Sequence, residues 1–339
     1  MLTAKENLLE TLKLNGKPDR LVNMWEPFEL VPDPCMMFDM GPREKGKECR
    51  DAWGTLIVWP EDSPGGMPHV TDDDKVCPDV TEWKNYVKSP DMRAAVENSP
   101  MWETCRAERD RIHAEGKLYM NIAPTGVYER LHFLMGFEDM LVNYLLEPEA
   151  MHELADAIGD YRAEYFRILC EKCKPDIILS HDDWGSKHAL FVSPETWREF
   201  IKPQYEKCYK VFKDAGVIIM HHSDSFCEPI IRDMVDVGID IWQGAIPEND
   251  IVRLAAEAKG EITMMGGCDM SILDLADSTE EQIRKETRRC CEDYGKLGHF
   301  IPSFTYGGPG DVIYKHVDPI MYDEIARYNQ EVYGVSSKI

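Results

Sequence analysis

IIMHHSDSFC, residues 218–227, is the stretch on which the reading of this chain turns. An apolar run, Val217 to Met220, stops abruptly at His221, His222, Ser223, Asp224, Ser225 and Cys227. Short apolar runs bounded by turn formers read as strands buried on both faces. A buried strand that empties into two imidazoles, a carboxylate and a thiol either caps the next helix or forms the floor of a site. Ser223, Asp224 or Ser225 can cap a helix beginning near Phe226, and Pro229 suits its first turn. Capping leaves the histidines unexplained. Side chains alternate along a strand, so one of the pair faces inward and the other toward a covering layer. His222 is expected to be the inward one.

The same pattern recurs on both sides. KLYMNIAP (117–124), DIILSHDD (176–183), GIDIWQGA (238–245), EITMMGGCD (261–269) and GHFIPSFTYGG (298–308) are further apolar runs, with amphipathic helical stretches between them. SPETWREFIKPQYEKCYKVFKDAG has Ser193 as N-cap, Pro194 at the first helical position and Gly216 as its end. STEEQIRKETRRCCEDYGKLG opens with a capping-box pattern at Ser278 and Glu281. Strands alternating with helices imply parallel strands joined by helical crossovers. With RLVNMWEP (20–27) as an early strand, the expectation is an α/β fold, a (β/α)8 TIM barrel. Such barrels carry their chemistry on the C-terminal face. His221, His222, Asp224, Asp182, Asp183, Gln243, Cys268, Asp269, Ser303, Tyr306, Asn121 and Glu26 then fall at strand ends and are expected to converge on one mouth. Trp25, Phe28, Trp184, Trp242 and Tyr306 would supply aromatic walls.

The first 116 residues are less regular. ELVPDPCMMFDMGP and WPEDSPGGMPHV read as long loops, and DAWGTLIVWPED as a short hairpin. This part is expected to be a lid or rim of one domain, 1–339, whose regular strand–helix units occupy 117–339.

A formal net charge of -24 excludes phosphate backbones and anionic lipid as natural partners, so neither nucleic acid nor membrane is expected. It also disfavours a highly anionic substrate without a local cationic pocket. The opening MLTAKENLLETLKLNGKPDR reads as an amphipathic helix without the apolar segment of a secretory leader. No apolar run approaches the ~18 residues of a membrane span. Eleven cysteines, an odd count scattered along the chain, suit reduced thiols in the cytoplasm better than a disulfide framework.

Several residue types point to chemistry. A neutral His is both a metal ligand and a general acid/base, which makes His222 the first candidate. Cys227, on the first turn of a helix, is expected to have a lowered pKa. His222, Cys227 and Cys268, with a carboxylate such as Asp183, have donor types that zinc accepts, although both thiols also suit a buried apolar role. In SHDDWG (180–185) one aspartate is expected to bind backbone amides and the other to face the mouth as an acid/base or cation ligand. The CEKC pair, Cys170 and Cys173, lacks a partner pair, and SFTYGGPG (303–310) lacks the lysine of a phosphate loop.

The segments DAWGTLIVWPED, GVYERLHFLMGFEDMLVNYLLEPEAM, SHDDWG, PETWREFIKPQYEKCYKVFKDAGVIIMHHSDS, VDVGIDIWQG, GGCD and GKLGHFIPS, in that order, resemble the uroporphyrinogen decarboxylase superfamily. The resemblance covers most of the chain from about residue 50 and implies a (β/α)8 barrel. In the decarboxylases an RQAGR segment after the first strand grips substrate carboxylates. Here that region reads VNMWEPFELVPDP, without arginine. The other branch, the cobamide-dependent methyltransferases, moves methyl groups between a corrinoid protein and a thiol, a pterin or a methoxylated compound. Members acting on thiols bind zinc through His-x-Cys and a distant Cys. Here His222 matches the histidine, but Asp224 stands where the cysteine would be, and the last strand offers Ser303.

The resemblance therefore implies a corrinoid-dependent methyltransferase that demethylates a methoxylated or methylated small molecule onto a Co(I) corrinoid protein, or exchanges methyl with a pterin. Its expected catalytic groups are His222, Asp183 and Asp224. Glu26, Asn121, Trp184, Gln243 and Tyr306 would contact substrate, and His222, Cys227 and Cys268 would hold zinc. The alternatives are a decarboxylase of a small carboxylated substrate and a non-catalytic corrinoid- or pterin-binding protein. A homodimer through the outer helices is compatible with the sequence.

Overall fold

A computed structural model of the chain describes residues 1–63 and 65–335. The six apolar runs from residue 117 onward form strands that start within a few residues of where the hydropathy places them, and one short strand precedes them. They are β1 (Phe28–Leu30), β5 (Leu118–Ala123), β6 (Ile177–His181), β7 (Ile218–His222), β8 (Ile241–Ala245), β9 (Thr263–Gly267) and β10 (Phe300–Ser303). They lie in that order in one sheet, every pair parallel. Helices fill the crossovers, as parallel neighbours require. The architecture is the parallel α/β barrel fold read from the sequence, with seven ladder strands among the described residues where eight were expected and with β1 and β10 not paired to each other.

The expected strand at 20–27 does not form, and the first ladder strand starts at Phe28. The reason is local: the Leu21 amide donates to Asn329 Oδ1 at 3.0 Å, and Asn329 Nδ2 donates to the Leu21 carbonyl at 2.9 Å. A side chain of the C-terminal helix Val317–Tyr333 thus satisfies the groups that a strand neighbour would have taken. Trp25 joins the ends of the sheet by packing, its ring 6.0 Å from Phe28 at the start of β1 and 6.1 Å from Phe304 just beyond β10.

The register fixes what faces inward. Paired residues in adjacent strands share a face, and neighbours along a strand alternate. His181, His222, Gln243, Met265 and Ile301 form one continuous row. Two residues earlier, Ile122, Leu179, Met220, Ile241 and Thr263 form the row beneath it. The barrel interior is therefore apolar below and polar at its C-terminal end.

The connecting helices are capped much as read. Ser193 accepts from the Thr196 amide, and Gly216 ends the helix Lys202–Ala215 at φ 73°. The capping box near 278 lies one residue later than expected: Thr279 and Gln282 form it, and Ser278 Oγ bonds to the Leu275 carbonyl instead. The irregular N-terminal part carries an antiparallel sheet of β2 (Glu48–Arg50), β3 (Leu56–Val58) and β4 (Met67–Pro68). A buried ion-pair cluster ties this rim to the barrel. Arg130, on the helix Val127–Met135, pairs with Asp51 and lies 3.4 Å from Asp39, and Tyr161 donates to Asp39 at 2.8 Å. Among the described residues no helix is long and apolar enough to cross a membrane.

Candidate functional site at the barrel mouth

The polar row at the strand ends brings three groups together. His181 ends β6 and His222 ends β7, and their rings stack 4.5 Å apart at 22°. Asp183, two residues beyond β6, lies with Oδ1 3.7 Å from His222 Nε2 and Oδ2 3.9 Å from His181 Nε2. One donor atom from each of the three falls within 4.8 Å of the others.

Each imidazole is held from behind. His222 Nδ1 donates to Gln243 Oε1, and Gln243 Nε2 donates to the Tyr306 carbonyl at 2.8 Å. His181 Nδ1 bonds Glu129 Oε2 at 3.0 Å. Both Nε2 atoms therefore point toward Asp183. Burial, then the charge of His181, pulls His222 below the ordinary imidazole range. Burial also opposes charge on His181, but Glu129 and then Asp183 outweigh it and hold the ring protonated. Asp224 borders the same space. Its amide donates to Asp183 Oδ1 at 3.2 Å, and burial followed by the Asp183 charge pushes its carboxyl up to about 7.

The two aspartates of SHDDWG divide as expected. Asp182 is buried and accepts from the Tyr128 amide (3.0 Å), the Glu129 amide (2.8 Å), Trp184 Nε1 (3.0 Å) and the Tyr205 hydroxyl (2.7 Å). It thus caps the helix that carries Glu129, the partner of His181. Burial and then the charge of Glu129 push its carboxyl up to about 6 against the Tyr205, Glu129 and Tyr128 donors. Gly126 is required here, since a Cβ would stand 2.0 Å from Asp182 Cγ. His221 faces outward, stacked 3.9 Å on Trp184, with the Tyr209 hydroxyl 2.6 Å from Nδ1 and the Asp182 carbonyl 3.2 Å from Nε2.

His222, Asp183, Asp224, Gln243 and Tyr306 thus gather at the mouth, and other sequence candidates do not. Asn121 pairs with Ile178 on the outward face, its amide donating to Val31 O at 2.9 Å and the Tyr119 hydroxyl at 3.1 Å. Trp184 lies in the helix layer against Trp197 and Tyr205. Trp242 shares the outward row with His221. Glu26 precedes β1 and lines a separate cavity of ≈ 370 Å³ with Trp25, Phe28, Lys117 and Tyr322.

The two cysteines stand apart from the imidazoles. Cys227 is buried against the Ser223 and Ser225 hydroxyls, at 3.6 and 3.3 Å. Burial pushes its thiol up to about 12, opposite to the expected direction. A 3₁₀ turn, Glu228–Ile230, runs into the helix Ile231–Asp236 after it, but burial outweighs what the start of that short segment offers a thiolate. Cys268 is wholly buried beside Cys290.

Sequence reasoning passed over His181, Glu129 and Arg43. His181 stood inside the quoted SHDDWG, and its pairing with His222 is the signal that would have found it. Arg43 lines a cavity of ≈ 520 Å³ with Met40, Trp59, Met67, Phe133, Glu129 and His181. The strand ends supply no such cation; it comes from the N-terminal rim. A second cavity of ≈ 340 Å³ lies on the Asp224 side, bordered by Tyr306, Cys268, Asp274 and Lys187.

Fold and mouth together define a class: parallel α/β barrels that carry imidazoles and carboxylates at the C-terminal ends of their strands. Within that class the chain belongs to the uroporphyrinogen decarboxylase (URO-D) family, whose model matches residues 75–322. The uroporphyrinogen decarboxylases of two strains of Thermus thermophilus are each 24% identical to it over 156 residues, 46% of this chain and 42% of theirs. The chain thus matches less than half the length of these curated relatives. Among solved structures, a methyltransferase from Methanosarcina mazei superposes with a TM-score of 0.70 at 13% identity, covering 99% of this chain and 100% of that one. That likeness shows the fold.

Proposed function

We propose that the protein is a corrinoid-dependent methyltransferase of the URO-D family, cytoplasmic, taking methyl from a methoxylated or methylated small molecule to a Co(I) corrinoid carried by a partner protein. Exchange of methyl with a pterin is the variant of the same reading. The observation that carries it is the convergence of His181, Asp183 and His222 beside a largely apolar cavity. Two imidazoles and a carboxylate are a donor set that zinc accepts while keeping a position open for substrate. The outer partners Glu129 and Gln243 orient the rings as ligand-bearing histidines require. A divalent cation there would polarise the ether oxygen and weaken its bond to methyl. His181, Asp183 and His222 would hold the ion, which would displace the proton of His181, in place of the set with Cys227 and Cys268.

The chain's own groups do the rest. Met40, Trp59 and Phe133 would flank the donor's ring. Asp224, at the edge of the same space with its amide on Asp183, can give a proton to a leaving oxygen or take one back. The free cysteines agree with a reducing compartment. The test is incubation of zinc-loaded protein with Co(I) cobalamin and a panel of methoxyarenes, followed by absorbance. Methyl-cobalamin formed with wild type and lost in His222→Ala supports the reading. No methylation with any methylated donor or methyl-pterin overturns it. The second reading, decarboxylation of a small carboxylated substrate, is favoured by Arg43 at the cavity and would show as CO2 release without cobalt.

A further inference from the structure

We infer that the cavity at the open seam of the barrel is a binding site for a small alkylated ammonium ion, held by the Glu26 carboxylate among aromatic rings. β1 and β10 are the two edges of the seven-stranded sheet and do not pair with each other. The cavity lies where their flanking segments meet. Trp25, Glu26 and Phe28 come from the start of β1, Lys117 from the start of β5, Pro309 from the loop after β10 and Tyr322 from the C-terminal helix. Its volume is ≈ 370 Å³, in the range of small-molecule sites. None of His181, Asp183 and His222 borders it, so the inference does not depend on the methyl-transfer reading.

The negative charge in this cavity has no partner. Glu26 makes no hydrogen bond or ion pair through its carboxylate among the described residues. The two cations whose charge reaches it are engaged elsewhere. Arg20 pairs with Asp19 at 2.6 Å and donates to the Leu2 carbonyl at 3.0 Å, and Lys117 faces Glu29 at 3.6 Å. Burial pushes the Glu26 carboxyl up from its ordinary range, and those two charges do not offset it. A cation entering the cavity would supply the missing counter-charge. The walls decide what kind of cation fits. A hard metal ion needs several oxygen ligands, and one carboxylate lines this space. Trp25 and Phe28 meet at 68° with ring centroids 6.0 Å apart, and Tyr322 adds a third ring. Aromatic faces attract ammonium groups, most of all where water is excluded. Alkyl groups on the nitrogen bring apolar surface that such rings cover. The chain's net charge of -24 draws cations toward it from solution.

The test is titration calorimetry in mildly alkaline buffer, where Glu26 is ionised. Choline chloride is compared with its neutral isostere 3,3-dimethylbutan-1-ol on wild type, Glu26→Gln and Lys117→Met. Wild type should bind choline at millimolar concentration or below. It should prefer choline to the alcohol by about 10-fold or more, as a cation held by a carboxylate and aromatic faces implies. Glu26→Gln should erase that preference while leaving the affinity for the alcohol unchanged. Lys117→Met removes a competing ammonium and should tighten choline about 2- to 5-fold. If Glu26→Gln fails to fold, the wild-type preference and the variant at the half-exposed Lys117 decide alone. Phosphatidylcholine vesicles separate a free ion from a lipid headgroup. The protein should not sediment with them, and vesicle binding without choline binding would overturn the inference. So would equal affinity for the two probes, no binding of choline at millimolar concentration, or a preference that survives Glu26→Gln. A choline affinity that does not rise in Lys117→Met would do the same.

Discussion

Replacing Asp182 with alanine should be among the most damaging single changes in the barrel. Its carboxylate accepts four hydrogen bonds, from two backbone amides, an indole and a phenol, and the residue is fully buried. A buried donor left without an acceptor costs about 1–3 kcal/mol. The Tyr205 hydroxyl can turn to another acceptor, whereas the Tyr128 and Glu129 amides and the Trp184 indole are fixed. Three orphaned donors give roughly 3–6 kcal/mol after partial relaxation. Losing the anion at the start of Val127–Met135 adds up to about 1 kcal/mol. Against a typical total stability of about 5–15 kcal/mol, that is a large fraction. Urea unfolding followed by far-ultraviolet circular dichroism at pH 8 measures it through the shift in midpoint. Asp182→Asn should lose about half as much, because the amide oxygen still accepts while the NH2 group opposes a donor. A midpoint shift worth less than about 1 kcal/mol for Asp182→Ala would refute this account of how the helix bearing Glu129 is fixed.

Two further consequences follow from buried groups. Burial pushes Asp33, which caps the helix Pro34–Met40, up to about 7 from 3.8, and its Oδ2 has no partner among the described residues. The folded state then holds a proton that the unfolded chain releases, so stability should fall as pH rises from about 4 to 7 and level off above; Asp33→Asn should flatten that slope in a series of thermal melts, and an unchanged slope would reject it. Gln243→Leu removes the group that orients His222, and zinc affinity by competition with a chelator should weaken about 10- to 100-fold, while unchanged affinity would show that the amide does not set the ring.

The fold was legible because strands buried on both faces write themselves as uninterrupted apolar runs. Alternation from Met220 was enough to turn His222 inward and His221 outward. The same rule, applied with the true register, sends Asn121 outward, since it pairs with Ile178 and not with the inward row. Glu26 was misplaced because the first ladder strand begins only at Phe28, after Asn329 has taken up the backbone of Leu21. His181 and Glu129 escaped because their meeting depends on cross-strand register and on a helix start pinned by Asp182, both nonlocal. Arg43 escaped for a related reason: the irregular rim carries no periodicity from which its place over the mouth can be read. The thiol of Cys227 was misjudged because it is fully buried, and the cost of burying a thiolate outweighs the helical start beside it.

Metal content tests the central claim most directly, measured on protein purified without chelator and equilibrated with zinc. The account predicts about one bound ion per chain in the wild type, lost in His181→Ala and in His222→Ala, and retained in Cys227→Ser and Cys268→Ser. No bound zinc in the wild type, or zinc that leaves with the cysteines and stays without His181, would contradict it.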